Sequence, residues 1–127
     1  MRCWVPPEEV ARRQAERKRN GPHASTFIRV FVNRAGESAF LPNFRGSFPV
    51  GTIILKEKLA SASADPPGFA VGAMIKHAEA TFPGTGGWQF LYADRKDSFR
   101  WRDGASTCAS CHALRRSTDF VFAGYQK

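Results

Sequence analysis

"TFIRVFVN", residues 26–33, alternates with period two, placing Ile28, Val30 and Val32 on one side and Phe27, Arg29 and Phe31 on the other. Both sides carry apolar bulk, so the stretch reads as a strand with little exposure, and it sets the class of fold. The same period recurs downstream. In "SFPVGTIILKEKL", residues 47–59, a turn at Pro49 and Gly51 leads into a β-branched strand with Thr52, Ile54 and Lys56 on one face and Ile53, Leu55 and Glu57 on the other. "FAVGAMIKH" (69–77) and "WQFLYA" (88–93) read as two further strands about the turn-rich "FPGTGG", and "DFVFAGY" (119–125) as a final one. "ASASADPPG" (60–68) and "DRKDSFRWRDGAST" (94–107) read as loops. The predicted fold is α+β: a mainly antiparallel sheet, one N-terminal helix, a single domain.

The helix is predicted within residues 1–25. Pro6 and Pro7 stand at its entrance, Glu8 and Glu9 in its first turn, Arg17, Lys18 and Arg19 in its last, and Gly21 and Pro22 stop it. Its apolar side is only Val10, Ala11 and Ala15, so it is expected to lie on the surface as an extension of a domain running from 26 to 127.

The chain has 127 residues and a formal charge of +8, enough to permit nucleic-acid binding. The basic residues are interleaved with acids and form no dense stripe, so a solvated face is expected and nucleic acid is not. No run of eighteen apolar residues is present, so no membrane span is expected. Eleven phenylalanines supply either a dense core or walls around a flat cofactor.

"CASCH", residues 108–112, carries the chemistry. Two thiols three apart can be a redox couple, half of a zinc site or a haem anchor. The histidine directly after Cys111 matches the spacing at which two thiols add to haem vinyl groups and the next imidazole takes the iron. Zinc would need two more ligands, and His77, His23 and Cys3 form no second spaced pair. A dithiol couple belongs with a parallel βαβ context, not with antiparallel strands. No Met or His follows His112. The sixth iron position is therefore expected to be open unless Met74 reaches it from upstream.

In order and spacing, the blocks "IRVFVN", "FPVGTIILKEKL", "GAMIKHAEATFPGTGGW" and "CASCHALRRSTDFVF" resemble the cytochrome P-460 family, which includes the β-sheet cytochromes c′. The resemblance implies a homodimer with one haem c per chain, held by Cys108 and Cys111 with His112 as iron ligand. It implies a lysine, here Lys56 with Lys58 as its neighbour, bonded to the haem macrocycle. It also implies a distal Arg29, flanked by Phe27 and Phe31 as apolar caps. The glutamate that serves as proton relay in hydroxylamine-oxidising members falls near Gly72 and Ala73 here, leaving Glu79 and His77 as the nearby titratable groups. The function expected from the resemblance is binding of small nitrogen or oxygen ligands such as nitric oxide, with hydroxylamine oxidation as the alternative and an electron-transfer protein as a further partner. Such haem is attached after export, so a periplasmic location is expected. The first thirty residues lack a secretory signal, which points to a truncated or misplaced start.

Overall fold

The computed structural model describes residues 2–4, 27–41, 44–59 and 68–122. Six strands, β1 (Arg2–Trp4), β2 (Phe27–Val32), β3 (Ile53–Leu59), β4 (Ala70–Lys76), β5 (Trp88–Asp94) and β6 (Arg102–Asp103), form one sheet in sequence order. Every neighbouring pair is antiparallel, so the sheet is a meander. Period two decides its faces: Ile28, Val30 and Val32 are buried, while Phe27, Arg29 and Phe31 are half-buried. Register carries these faces across the sheet. Val30 pairs with Lys56, Lys56 with Gly72 and Gly72 with Tyr92; Ile54 pairs with Met74 and Met74 with Phe90. These residues share the inner face with Ile28, Val30 and Val32.

Turn chemistry holds the register. Asn33 Nδ2 donates to the Gly51 carbonyl and the Ile53 amide donates to Asn33 Oδ1, each at 2.9 Å, which locks β2 against the start of β3. Between β4 and β5 the chain turns through Gly86 and Gly87, at φ of 60° and 89°. A Cβ on Gly86 would lie 2.8 Å from the Phe120 ring, so both conformation and space demand glycine there.

A second layer covers the inner face. Helix α1 (Ala105–His112) continues into a 3-10 turn, Ala113–Thr118, and a bend that brings Phe120 and Val121 into the core with Ile28, Ile54, Met74, Trp88 and Phe90. Phe48 packs edge-on to Trp88 and Phe44, with ring centroids 5.6 and 5.3 Å apart. Each such buried side chain contributes about 1.5–3 kcal/mol. The layer is pinned by Asp119, whose carboxylate accepts from Lys76 Nζ at 2.8 and 2.9 Å and from the Phe48 amide at 2.7 Å, while its carbonyl accepts from Trp88 Nε1 at 2.8 Å.

Three expectations change. The strand over 119–125 does not form within its described part: Asp119 and Phe120 are both left-handed, at φ of 50° and 64°, because the chain folds back to meet Lys76 and Trp88. The 94–107 stretch is more than a loop, containing a 3-10 turn at Arg95–Asp97, strand β6 and the start of α1. The short strand β1 was not foreseen. The N-terminal helix lies outside the described residues, as does most of the 60–68 loop. Among the described residues no helix is long and apolar enough to cross a membrane.

Lys76→Met would leave the Asp119 carboxylate buried against an apolar neighbour. We expect a loss of about 3–5 kcal/mol in urea unfolding, the usual cost of removing one partner of a buried pair. Arg102→Met, which breaks the partly exposed pair with Asp94, is expected to cost about 1 kcal/mol or less.

Candidate functional site

Helix α1 starts where Asp103 Oδ1 accepts the Ala105 amide at 2.9 Å and the Gly104 carbonyl accepts the Cys108 amide at 2.7 Å. Gly104 is buried against β5, its amide donating to the Phe90 carbonyl at 2.8 Å. A Cβ there would stand 3.0 Å from Cys108 Sγ, so glycine lets the first cysteine sit close to the sheet. On a helix, positions three and four apart share a face. Cys108, Cys111 and His112 are thus gathered on one side of α1, with Cys108 half-buried, Cys111 exposed and His112 buried.

The His112 ring packs against Phe90 and Phe122, each with its ring centroid 5.0 Å away. Its Nδ1 is 2.6 Å from the Phe120 carbonyl oxygen. A carbonyl only accepts, so Nδ1 carries the proton and Nε2 the lone pair. Burial lowers the His112 pKa to about 4, against the opposing effect of that hydrogen bond, so the imidazole is neutral near pH 7. A neutral ring with its proton fixed on Nδ1 is the form in which histidine ligates a metal.

On the inner face, the ammonium of Lys56 acts electrostatically on Cys108, Lys58 and His112. Burial raises the Cys108 thiol pKa, with Lys56 and Lys58 opposing it. Burial and then Lys56 lower the pKa of Lys58, whose Nζ lies 5.6 Å from the centre of the Tyr92 ring. The Tyr92 hydroxyl pKa is raised by burial and by Asp94. Between Lys56 and Tyr92 stands Gly72, and a Cβ there would meet no atom within 4 Å. Two thiols on one helix face, an imidazole with Nε2 available and open space over the facing strand together fit a flat, thioether-bound haem.

The other expected site residues are elsewhere. Phe27, Arg29 and Phe31 lie on the opposite face of the sheet from Lys56, because they fall on the odd positions of β2 and pair with Leu59, Glu57 and Leu55. Arg29 Nε faces Glu57 Oε2 at 3.1 Å without hydrogen-bond alignment, and Glu57 Oε1 accepts the Gly68 amide at 2.7 Å. Glu79 is exposed on a 3-10 turn, Glu79–Thr81. His77 is 2.9 Å from Gln89 Oε1 and stacks on Phe82, and Met74 is buried in the core. Among the described residues no three His, Cys, Asp or Glu are placed to hold a metal ion, so the zinc reading finds no ligand set there.

The sequence reading missed Phe90, Phe122 and the Phe120 carbonyl around His112, and Tyr92 across the sheet from Lys56; it named Gly72 only as the place of the absent glutamate. For the strand residues the signal was present, since Phe90 and Tyr92 alternate in "WQFLY" and Gly72 interrupts an apolar strand. No pattern marks the carbonyl.

A family model described as Cytochrome P460 matches residues 8–123. No curated protein matches the chain.

Two outcomes are expected of this geometry. Gly72→Leu should fill the open space and lower the haem recovered per chain, while the far-ultraviolet circular dichroism stays that of a sheet; full haem loading with an unchanged visible spectrum would refute the assignment. In a Cys108→Ala, Cys111→Ala chain stripped of haem, the depressed His112 pKa means that the unfolded state binds more protons between about pH 6.5 and 4. The stability from burying neutral His112 is therefore complete above 6.5 and is lost as pH falls through about 4. Urea midpoints should drop across that window, and less so in the same chain carrying His112→Gln.

Proposed function

The chain belongs to the cytochrome P460 family, a family of c-type haem proteins, and from that premise we propose that it holds one haem c per chain, whose iron would be open to small nitrogen or oxygen ligands such as nitric oxide. Haem iron would supply the coordination position. Cys108 and Cys111 would form the two thioethers and His112 Nε2 would ligate the iron. The observation that carries the reading is the 2.6 Å contact from His112 Nδ1 to the Phe120 carbonyl, which leaves Nε2 as the only ring nitrogen able to donate a lone pair.

The remaining residues favour binding over oxidation of hydroxylamine. Oxidising hydroxylamine releases protons with the electrons, and a positioned base is typically worth about 10² to 10⁴ in rate. Asp94 is held by Arg102 at 2.8 Å, Asp119 by Lys76, and Glu57 faces Arg29 on the other side of the sheet. Glu79 is exposed on its turn. Arg29 cannot act as a base, because guanidinium stays protonated. The apolar walls Phe90 and Phe122 flank His112, whose proton is committed to a carbonyl.

Lys56 lies on the inner face of β3, the face that the second layer covers, and that place supports a bond from its amine to the macrocycle. A periplasmic homodimer with a separate electron carrier completes the reading.

Intact mass of the denatured protein, made in a host with export and haem-attachment machinery, should exceed the chain mass by one haem. Cys108→Ala with Cys111→Ala should abolish that increment. Stoichiometric zinc with no haem would defeat the proposal. If the lysine bond forms, Lys56→Ala should replace broadened, red-shifted bands with an ordinary c-type spectrum, and identical spectra would exclude it. Nitric oxide should bind to the reduced protein, with hydroxylamine consumed slowly; rapid turnover abolished by Glu79→Ala would reverse the preference and make Glu79 the relay.

A further inference from the structure

Two arginines follow the cysteine motif on the surface, and the site uses neither. Residues 105–118, "ASTCASCHALRRST", contain no Asp or Glu. Cys111, Arg115 and Arg116 are exposed, and Leu114, at 80 %, is more exposed than Leu41, Val50, Ile53 or Trp101, the other exposed large hydrophobics among the described residues. The acids that bracket the segment are engaged elsewhere: Asp103 caps the start of α1 and Asp119 is buried on Lys76. Neither arginine is paired with a carboxylate among the described residues. Arg115 Cζ lies 5.0 Å from the Phe122 ring centre and Arg116 Cζ 5.2 Å from that of Phe120. Those aromatic residues are the ones that touch His112, through the Phe122 ring and the Phe120 carbonyl. Stacked guanidiniums have fewer rotamers to lose on contact with a partner.

We propose that Leu114, Arg115 and Arg116, beside the exposed Cys111, form a docking surface for an acidic one-electron carrier protein. The inference rests on the haem reading above. Charge complementarity selects the occupant: an apolar centre rimmed by two cations with no carboxylate partner among the described residues, on a chain of formal charge +8, attracts an acidic protein and repels a basic one. Two cations around a leucine are too few and too apolar for a polyphosphate backbone. A patch this small suits the brief encounters of electron transfer. With haem bound, a ferrous iron would supply the one electron that the carrier's oxidised cofactor gains, leaving ferric iron; the docking residues themselves would form and break no bond.

The test is isothermal titration of the haem-loaded protein with an oxidised flavodoxin as the acidic probe and a mitochondrial cytochrome c as the basic one, at low and high salt. Flavodoxin should bind, and its affinity should fall about tenfold as salt rises from about 20 to about 200 mM. Arg115→Glu with Arg116→Glu should weaken binding about tenfold and flatten the salt dependence, whereas Arg115→Lys with Arg116→Lys should restore both. Arg115→Gln with Arg116→Gln removes the two charges without reversing them, and should lose affinity even if the reversal disturbs Phe120 and Phe122. Leu114→Ser should weaken binding about threefold with the salt slope unchanged. Equal affinity of wild type and the glutamine variant for flavodoxin, or tighter binding of the basic probe, overturns the proposal. Mass and visible spectrum on the same samples separate the two failures. A haem-bearing chain that fails the titrations removes the docking surface alone, and a chain without haem removes the functional reading and the docking role with it.

Discussion

The buried contact between Lys76 and Asp119 joins the two layers of the molecule. Lys76 ends β4 on the inner face, and Asp119 ends the segment that follows α1, so their ion pair at 2.8 Å ties the sheet to the chain that carries the motif. Isolated, either charge would be costly to bury; together they leave few lone pairs or protons unmatched, since Lys76 Nζ also donates to the Gly86 carbonyl at 2.6 Å and Asp119 also accepts the Phe48 amide. With Asp119 fixed, Phe120 is held left-handed and its carbonyl is aimed at His112. The tautomer of His112 thus depends on a salt bridge that involves none of the motif.

The sheet divides the chain's chemistry by face. On the inner side lie Lys56, Lys58, Gly72 and Tyr92, facing α1; on the other lie Phe27, Arg29, Phe31 and Glu57. Alternation made this division readable. "TFIRVFVN" and "TIILKEKL" each announce their faces, and one pairing suffices to show that Arg29 and Lys56 point apart, for Val30 and not Arg29 is opposite Lys56. The family likeness assigned Lys56, Arg29, Phe27 and Phe31 to one haem, because a likeness matches positions along the chain and does not register which side of a strand each occupies.

Four strands were legible because their burial follows period two or their apolar runs are bounded by Gly and Pro. Helix α1 was not: "ASTCASCH" has no apolar stripe, and it is helical because Asp103 and Gly104 cap it and the sheet lies beneath. "DFVFAGY" misled in the opposite direction. Its β-formers promise a strand, yet Asp119 and Phe120 are held at positive φ by contacts with residues more than thirty positions away, which local propensity does not contain. The spacing of the motif marked where the chemistry lies and narrowed it to a few readings, whereas the carbonyl that orients its histidine is contributed by a residue whose side chain gives no hint of that role.

The left-handed pair at Asp119 and Phe120 has a consequence for modularity. A five-residue attachment motif looks portable, something to be grafted onto any surface helix. Here the histidine's orienting acceptor comes from eight residues downstream, and the bend that carries it is held by Trp88, Lys76, the Phe48 amide and the Gly86 corner. The smallest unit able to present a correctly poised imidazole is therefore not the pentapeptide, nor the helix, but the helix with its return bend and the β4–β5 hairpin beneath it.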